Sequence, residues 1–142
     1  MRRYLLDTTP LTAYLMGRPA AVTQFDPWLA RSEVATSVLV YAEVVEGLRS
    51  RATFPALHHA LRDLLDSVYP YTLTYPILDR YGIIRRQLRP PHGPGLIGDI
   101  DTLIAATALE RNLTIVTCDA DFQRVPGLRT IVIPRDSLKD RP

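Results

Sequence analysis

The sequence contains a single cysteine, Cys118, which excludes an internal disulfide framework and a cysteine-built zinc cluster. Lysine is equally scarce. Lys139 is the only one, so sixteen of the seventeen cations are arginines. That bias suits phosphate recognition by planar guanidinium groups, and it also fits codon bias in a GC-rich genome. No apolar run approaches the ~20 residues of a membrane span. The opening MRRYLLDTTP meets Asp7 after three apolar residues, which argues against a signal peptide. The expected setting is the cytoplasm, with no membrane partner. A net charge of +2 predicts no nucleic-acid binding on its own.

What is present describes an ordinary folded chain. With 142 residues, 46% of them hydrophobic and 23% charged, it has the material for one core and one domain spanning residues 1–142. The twelve prolines are scattered, so they mark element starts and loops rather than a linker.

Short apolar runs alternate with helical patterns. Strands are expected at Arg3–Leu6, Glu33–Thr36, Thr114–Thr117 and Thr130–Ile133, with a further short one, broken by Pro70, within Val68–Leu73. Helices are expected over Thr9–Leu15, Ala20–Ala30, Ser37–Leu48, Thr53–Asp66, from Thr74 through Leu88, and from Asp99 to about Asn112. In the third of these, Leu39, Ala42, Val45 and Leu48 share one face, while Asp99 is placed to cap the last. RPPHGPG, from Arg89 to Gly95, must be a loop. This alternation predicts an α/β fold: one parallel sheet sandwiched between helices.

On that layout four carboxylates fall at one edge. Asp7 ends the first strand and Asp119 follows the strand Thr114–Thr117. Glu43 and Asp101 lie in the early turns of helices that leave the same edge. Open α/β sheets bind ligands in the crevice outside the carboxyl ends of their strands. Two unit charges ~5 Å apart repel by roughly 3 kcal/mol at an effective dielectric near 20, against a stability of about 5–15 kcal/mol. Such a cluster calls for proton uptake or a divalent cation, and oxygen ligands suit Mg²⁺ or Mn²⁺. Each acid also has a plain structural reading. Asp7 fits an N-cap before Thr8-Thr9-Pro10, and Asp119 or Asp121 fits a turn. Glu43 is the sharpest signal, because Val40, Ala42, Val44 and Val45 surround it.

In these residues the chain resembles the PIN-domain nucleases, and among them the VapC toxins of bacterial VapBC toxin–antitoxin pairs. The resemblance covers essentially the whole length. It is carried by YLLDTTPL around Asp7, SVLVYAEVVEGL around Glu43, DIDTLIAATAL around Asp101, and TIVTCDADF followed by VPGL. It implies a metal-dependent ribonuclease whose catalytic acids are Asp7, Glu43, Asp101 and Asp119. Asp7 and Asp101 would be direct Mg²⁺ or Mn²⁺ ligands, with Glu43 and Asp119 holding a second ion or its waters or orienting the nucleophile. Thr8, Ser37 and Thr117 match the family's supporting hydroxyls, while Thr9 stands where asparagine is frequent. The last motif offers both Asp119 and Asp121 as the fourth acid. The implied partners are RNA, a VapB-like antitoxin and a second copy of the chain, with apolar surface on the first helices available for a homodimer.

Arg85, Arg86 and Arg89, leading into the RPPHGPG loop, are candidate RNA contacts, or a solvated helix face. Two other readings compete. A phosphatase or receiver domain also places aspartates at strand ends, but Asp7-Thr8-Thr9 lacks the Asp-x-Asp pattern, and Lys139 comes six residues after Ile133. A non-catalytic interaction module with an inert acidic pocket is the other.

Overall fold

The computed structural model describes residues 1–140; Arg141 and Pro142, the end of the expected domain, lie outside the described residues. Five parallel strands, β1 (Tyr4–Leu6), β2 (Val34–Ser37), β3 (Tyr69–Tyr71), β4 (Thr114–Thr117) and β5 (Thr130–Val132), form one sheet in the order β3-β2-β1-β4-β5. β1 is central, with Leu5 opposite Ala35 on one side and Ile115 on the other. Successive strand residues face opposite sides of a sheet. Leu5 and Leu6 are both fully buried, so helices cover both faces.

The helices are α1 (Thr8–Leu15), α2 (Pro19–Ala30), α3 (Val38–Leu48), α4 (Phe54–Leu64), α5 (Tyr75–Leu88) and α6 (Asp99–Glu110). Local chemistry sets their ends. Gly17, at φ +71°, turns the chain out of α1, and Pro19 opens α2 with its fixed φ. Asn112, at φ +57°, terminates α6 in the left-handed region that asparagine tolerates. No helix among the described residues is long and apolar enough to cross a membrane.

Three expectations are corrected. Pro70 does not break β3 but lies within it, opposite Thr36 of β2. β3 is an edge strand, where a missing N–H is tolerated. The buried face of α3 is Val40, Val44 and Leu48, and Ala42 is exposed. β2 runs into α3 with no intervening loop, and the phase this imposes turns the helix about one residue from the periodicity estimate. Finally, Gly98 and not Asp99 is the N-cap of α6. Asp99 is already helical, and its carboxylate points outward to Arg85, 2.8 Å away, and to the Tyr81 hydroxyl.

The order of the sheet fixes where a ligand can sit. The chain builds β1, β2 and β3 outward on one side, then returns to place β4 and β5 on the other. The direction of winding therefore reverses at β1. In open α/β sheets the crevice at such a reversal, beyond the carboxyl ends of the strands, is the binding site. Asp7 leaves β1 there, and Cys118-Asp119 leaves β4 beside it.

Candidate metal centre

Asp7 is the single residue between β1 and α1, and its side chain is 8% exposed. It occupies the N-cap position of α1, yet its carboxylate makes no cap hydrogen bond. Instead Oδ2 accepts from the Thr117 hydroxyl at 2.7 Å, a bond linking the ends of β1 and β4. The same Thr117 oxygen accepts from the Asp119 N–H at 3.0 Å. A neighbouring hydroxyl, from Thr36, donates to the Leu6 carbonyl at 2.9 Å and ties β2 to the end of β1.

Glu43 reaches the same place from the second turn of α3. Ser37 sets the helix start, its Oγ accepting from the Leu39 N–H at 3.1 Å. Thr8 sets the side chain, its hydroxyl donating to Glu43 Oε1 at 2.7 Å. Asp101 comes from the first turn of α6. Carboxylate oxygens of Asp7, Glu43 and Asp101 lie within 4.8 Å of one another.

Asp119 stands beside this triad rather than in it. Its Oδ1 accepts from the Asp121 N–H at 2.9 Å, capping the 3-10 turn Ala120–Arg124. Asp121 is drawn away to Arg124, 3.2 Å from its carboxylate. Of the candidate RNA contacts, Arg85 is paired with Asp99, whereas Arg86 and Arg89 are exposed and form no ion pair among the described residues. Among the described residues the large exposed apolar side chains are Met1, Tyr69 on β3, Tyr75, Leu78 and Ile83 on α5, and Ile100 on α6, and none lies on the first helices, where the sequence placed apolar surface for a dimer.

The electrostatics show what the cluster lacks. Burial pushes the Asp7 carboxyl above its ordinary value, the Thr117 bond pulls it back, and repulsion from Glu43 and Asp119 raises it further. Asp101 is pushed up to about 6, by burial first and then by Asp7, Asp119, Glu43 and Asp121. The charges that shift Asp101 are all negative, and among the described residues no cation offsets them. A donor set made only of carboxylates, gathered at a sheet edge where burial and mutual repulsion raise Asp7 and Asp101, fits a hard divalent cation. Asp7, Glu43 and Asp101 are the residues that would hold such an ion.

A family profile described as the PIN domain matches residues 4–128. The chain belongs to the PIN-domain family. It is similar to a solved VapBC-1 structure from nontypeable Haemophilus influenzae, with 27% identity and a TM-score of 0.74 over 91% of this chain and 96% of that one. It is similar also to FitAcB from Neisseria gonorrhoeae, at 25% identity and TM-score 0.77, covering 90% and 96%. A DNA-bound VapBC from Salmonella typhimurium shares the fold at 21% identity and TM-score 0.80, covering 93% and 98%. No curated protein sequence matches the chain.

The supporting bonds missed by sequence reasoning are those of Thr36 and the Arg85–Asp99 pair. Both join segments distant in sequence, and no spacing rule signals either.

Proposed function

We propose that this PIN-domain chain is a Mg²⁺- or Mn²⁺-dependent ribonuclease and the toxin of a toxin–antitoxin pair. The observation that carries the reading is the convergence of Asp7, Glu43 and Asp101, from β1, α3 and α6, with carboxylate oxygens within 4.8 Å and Asp119 alongside. Asp7 and Asp101 would hold the ion, with Glu43 and Asp119 completing its surroundings. A divalent cation, when bound, acidifies water and offsets charge developing on the attacked phosphate. The chain's own work is positioning. Thr117 fixes the rotamer of Asp7, Thr8 fixes that of Glu43, and Ser37 starts the helix that delivers Glu43.

The partner follows from the relatives: the Salmonella and Haemophilus structures are VapBC complexes. A VapB-like antitoxin would cover the acidic site in the cytoplasm, offering an arginine to the carboxylates. The exposed residues of β3 and α5 are available for a homodimer.

The test is cleavage of single-stranded RNA by the purified chain with Mn²⁺, with Mg²⁺ and with chelator. Metal-dependent cleavage lost in Asp101→Asn supports the reading, and metal-independent or absent cleavage overturns it. Strong induction in a host lacking the antitoxin should arrest growth; normal growth would remove the toxin role.

A further inference from the structure

One face of α1 lines a cavity of about 210 Å³ that adjoins the acidic cluster through Thr8. Thr8, Thr9 and Thr12 contribute to its wall, with Arg18 from the α1–α2 turn and Arg51 from the α3–α4 turn, over an apolar floor of Ala13, Met16 and Leu138. Thr8 belongs to both places, since its hydroxyl donates to Glu43. At 1.5 Å per residue, α1 carries this wall ~10 Å from Thr8 to Leu15, before the turn that holds Arg18.

The cations here are uncommitted. Arg51 makes no ion pair and no side-chain hydrogen bond among the described residues, and Arg18 makes only a long one, 3.4 Å to the Lys139 carbonyl. The arginines at the opposite edge of the sheet are used differently. Arg2 donates to the Val34 and Ser67 carbonyls at 2.7 and 2.9 Å, and Arg129 donates to Asn112 at 2.9 Å. Two guanidinium groups with free donors, beside the hydroxyls of Thr9 and Thr12, form a donor set that recognises phosphate oxygens.

A nucleic-acid strand approaching four carboxylates is repelled unless cations hold it nearby. We infer that the α1 cavity is a backbone-phosphate subsite of single-stranded RNA, in which Arg18 and Arg51 grip a phosphate removed along the strand from the scissile one and the Thr9 and Thr12 hydroxyls bond its oxygens. This rests on the nuclease reading for the identity of the strand. An acidic protein segment is the competing occupant, and the hydroxyl-rich wall favours phosphate.

The experiment measures binding without cleavage. Fluorescence anisotropy with a labelled single-stranded RNA of about 12 nucleotides is followed across a salt titration in Ca²⁺. Arg18→Gln and Arg51→Gln should each weaken binding for any sequence and reduce the slope of log K against log salt by about 0.7. Thr12→Val should weaken binding with no change of slope. Arg129→Gln, at the opposite edge, should match wild type, and Mn²⁺-induced thermal shifts should be unchanged in all four variants. Wild-type slopes in both arginine variants, an equal loss in Arg129→Gln, or no RNA binding by the wild type would each overturn the subsite. So would loss of poly-glutamate binding with RNA binding intact. If the slopes fall as expected but the wild type cuts no RNA with Mn²⁺, the subsite stands and the nuclease reading alone fails.

Discussion

The Thr117 hydroxyl donates to Asp7 Oδ2 at 2.7 Å, joining residues 110 apart in sequence across the reversal point of the sheet. The bond fixes the orientation in which the Asp7 carboxylate is presented to a cation. It also orders the next acid, since the same hydroxyl oxygen accepts the Asp119 N–H. Thr117→Val should therefore reduce metal affinity and cleavage by about 10–100-fold, the usual effect of losing a residue that orients a ligand. The buried Asp7 carboxylate loses a donor, at a cost of about 1–3 kcal/mol. Thr117→Ser should restore most of both. Manganese titration followed by melting temperature, beside single-turnover cleavage, checks this: a fully active Thr117→Val variant would remove Thr117 from the site.

The acids should rank by geometry. Asp7→Asn, Asp101→Asn and Glu43→Gln each remove a charge from the triad, so cleavage should fall by about two orders of magnitude or more in each, beyond the effect of an orienting residue. Asp119→Asn should be milder, because one oxygen of Asp119 already caps the 3-10 turn. Asp121→Asn should be mildest, since Arg124 holds that carboxylate. Cleavage rates for the five variants at saturating Mn²⁺ give the order directly, and a dead Asp121→Asn beside an active Asp119→Asn would reverse the assignment.

Much of this arrangement was legible in the sequence because local signals place elements and parallel topology places their ends. Asp7, Glu43 and Asp119 each lie just after a strand or inside the helix that follows it, and a parallel sheet brings such positions to one edge; Asp101 comes instead from α6, which follows α5 and leads into β4. What was not legible depends on helix phase and on long-range partners. Asp99 and Asp101 are two residues apart, about 200° around a helix, so only one can face the cluster. The motif around Asp101 picks that residue, but the exact start of α6, at Gly98 and not Asp99, was not legible. The α3 face slipped for the same reason. The Thr117–Asp7 bond and the α1 cavity join distant segments, and no periodicity encodes them.

Asp99 carries a prediction of its own. Its pairing with Arg85 is solvated, with the two side chains 72% and 24% exposed. Exposed pairs contribute about 0–1 kcal/mol, so Asp99→Ala should lower stability by no more than that and leave cleavage near wild type. Double-mutant cycles with Arg85→Ala measure the pair; a coupling of several kcal/mol would place the pair in a far less solvated setting.

The pH dependence of the metal-free protein should run opposite to that of most paired carboxylates. Asp101 titrates at about 6 in the folded state against an ordinary value of 3.8, and Asp7 is also raised. The folded chain therefore holds protons that the unfolded chain has released. Stability from these groups is fully present below about pH 4 and is lost as pH rises through 6, because the slope follows the difference in bound protons. Other carboxylates lose favourable pairing toward low pH, so the signature is the difference between wild type and Asp101→Asn. In chelator, the variant should gain on the wild type between pH 4 and about 7, as the repulsion on Asp101 disappears. Manganese should reverse the order at neutral pH: it stabilises the wild type by about 2.7 kcal/mol at one hundred times its dissociation constant and the variant by less. Thermal melts of both proteins across this range, with chelator and with Mn²⁺, test the whole chain of reasoning. Parallel curves with no crossover on adding metal would mean that the three carboxylates do not share an ion.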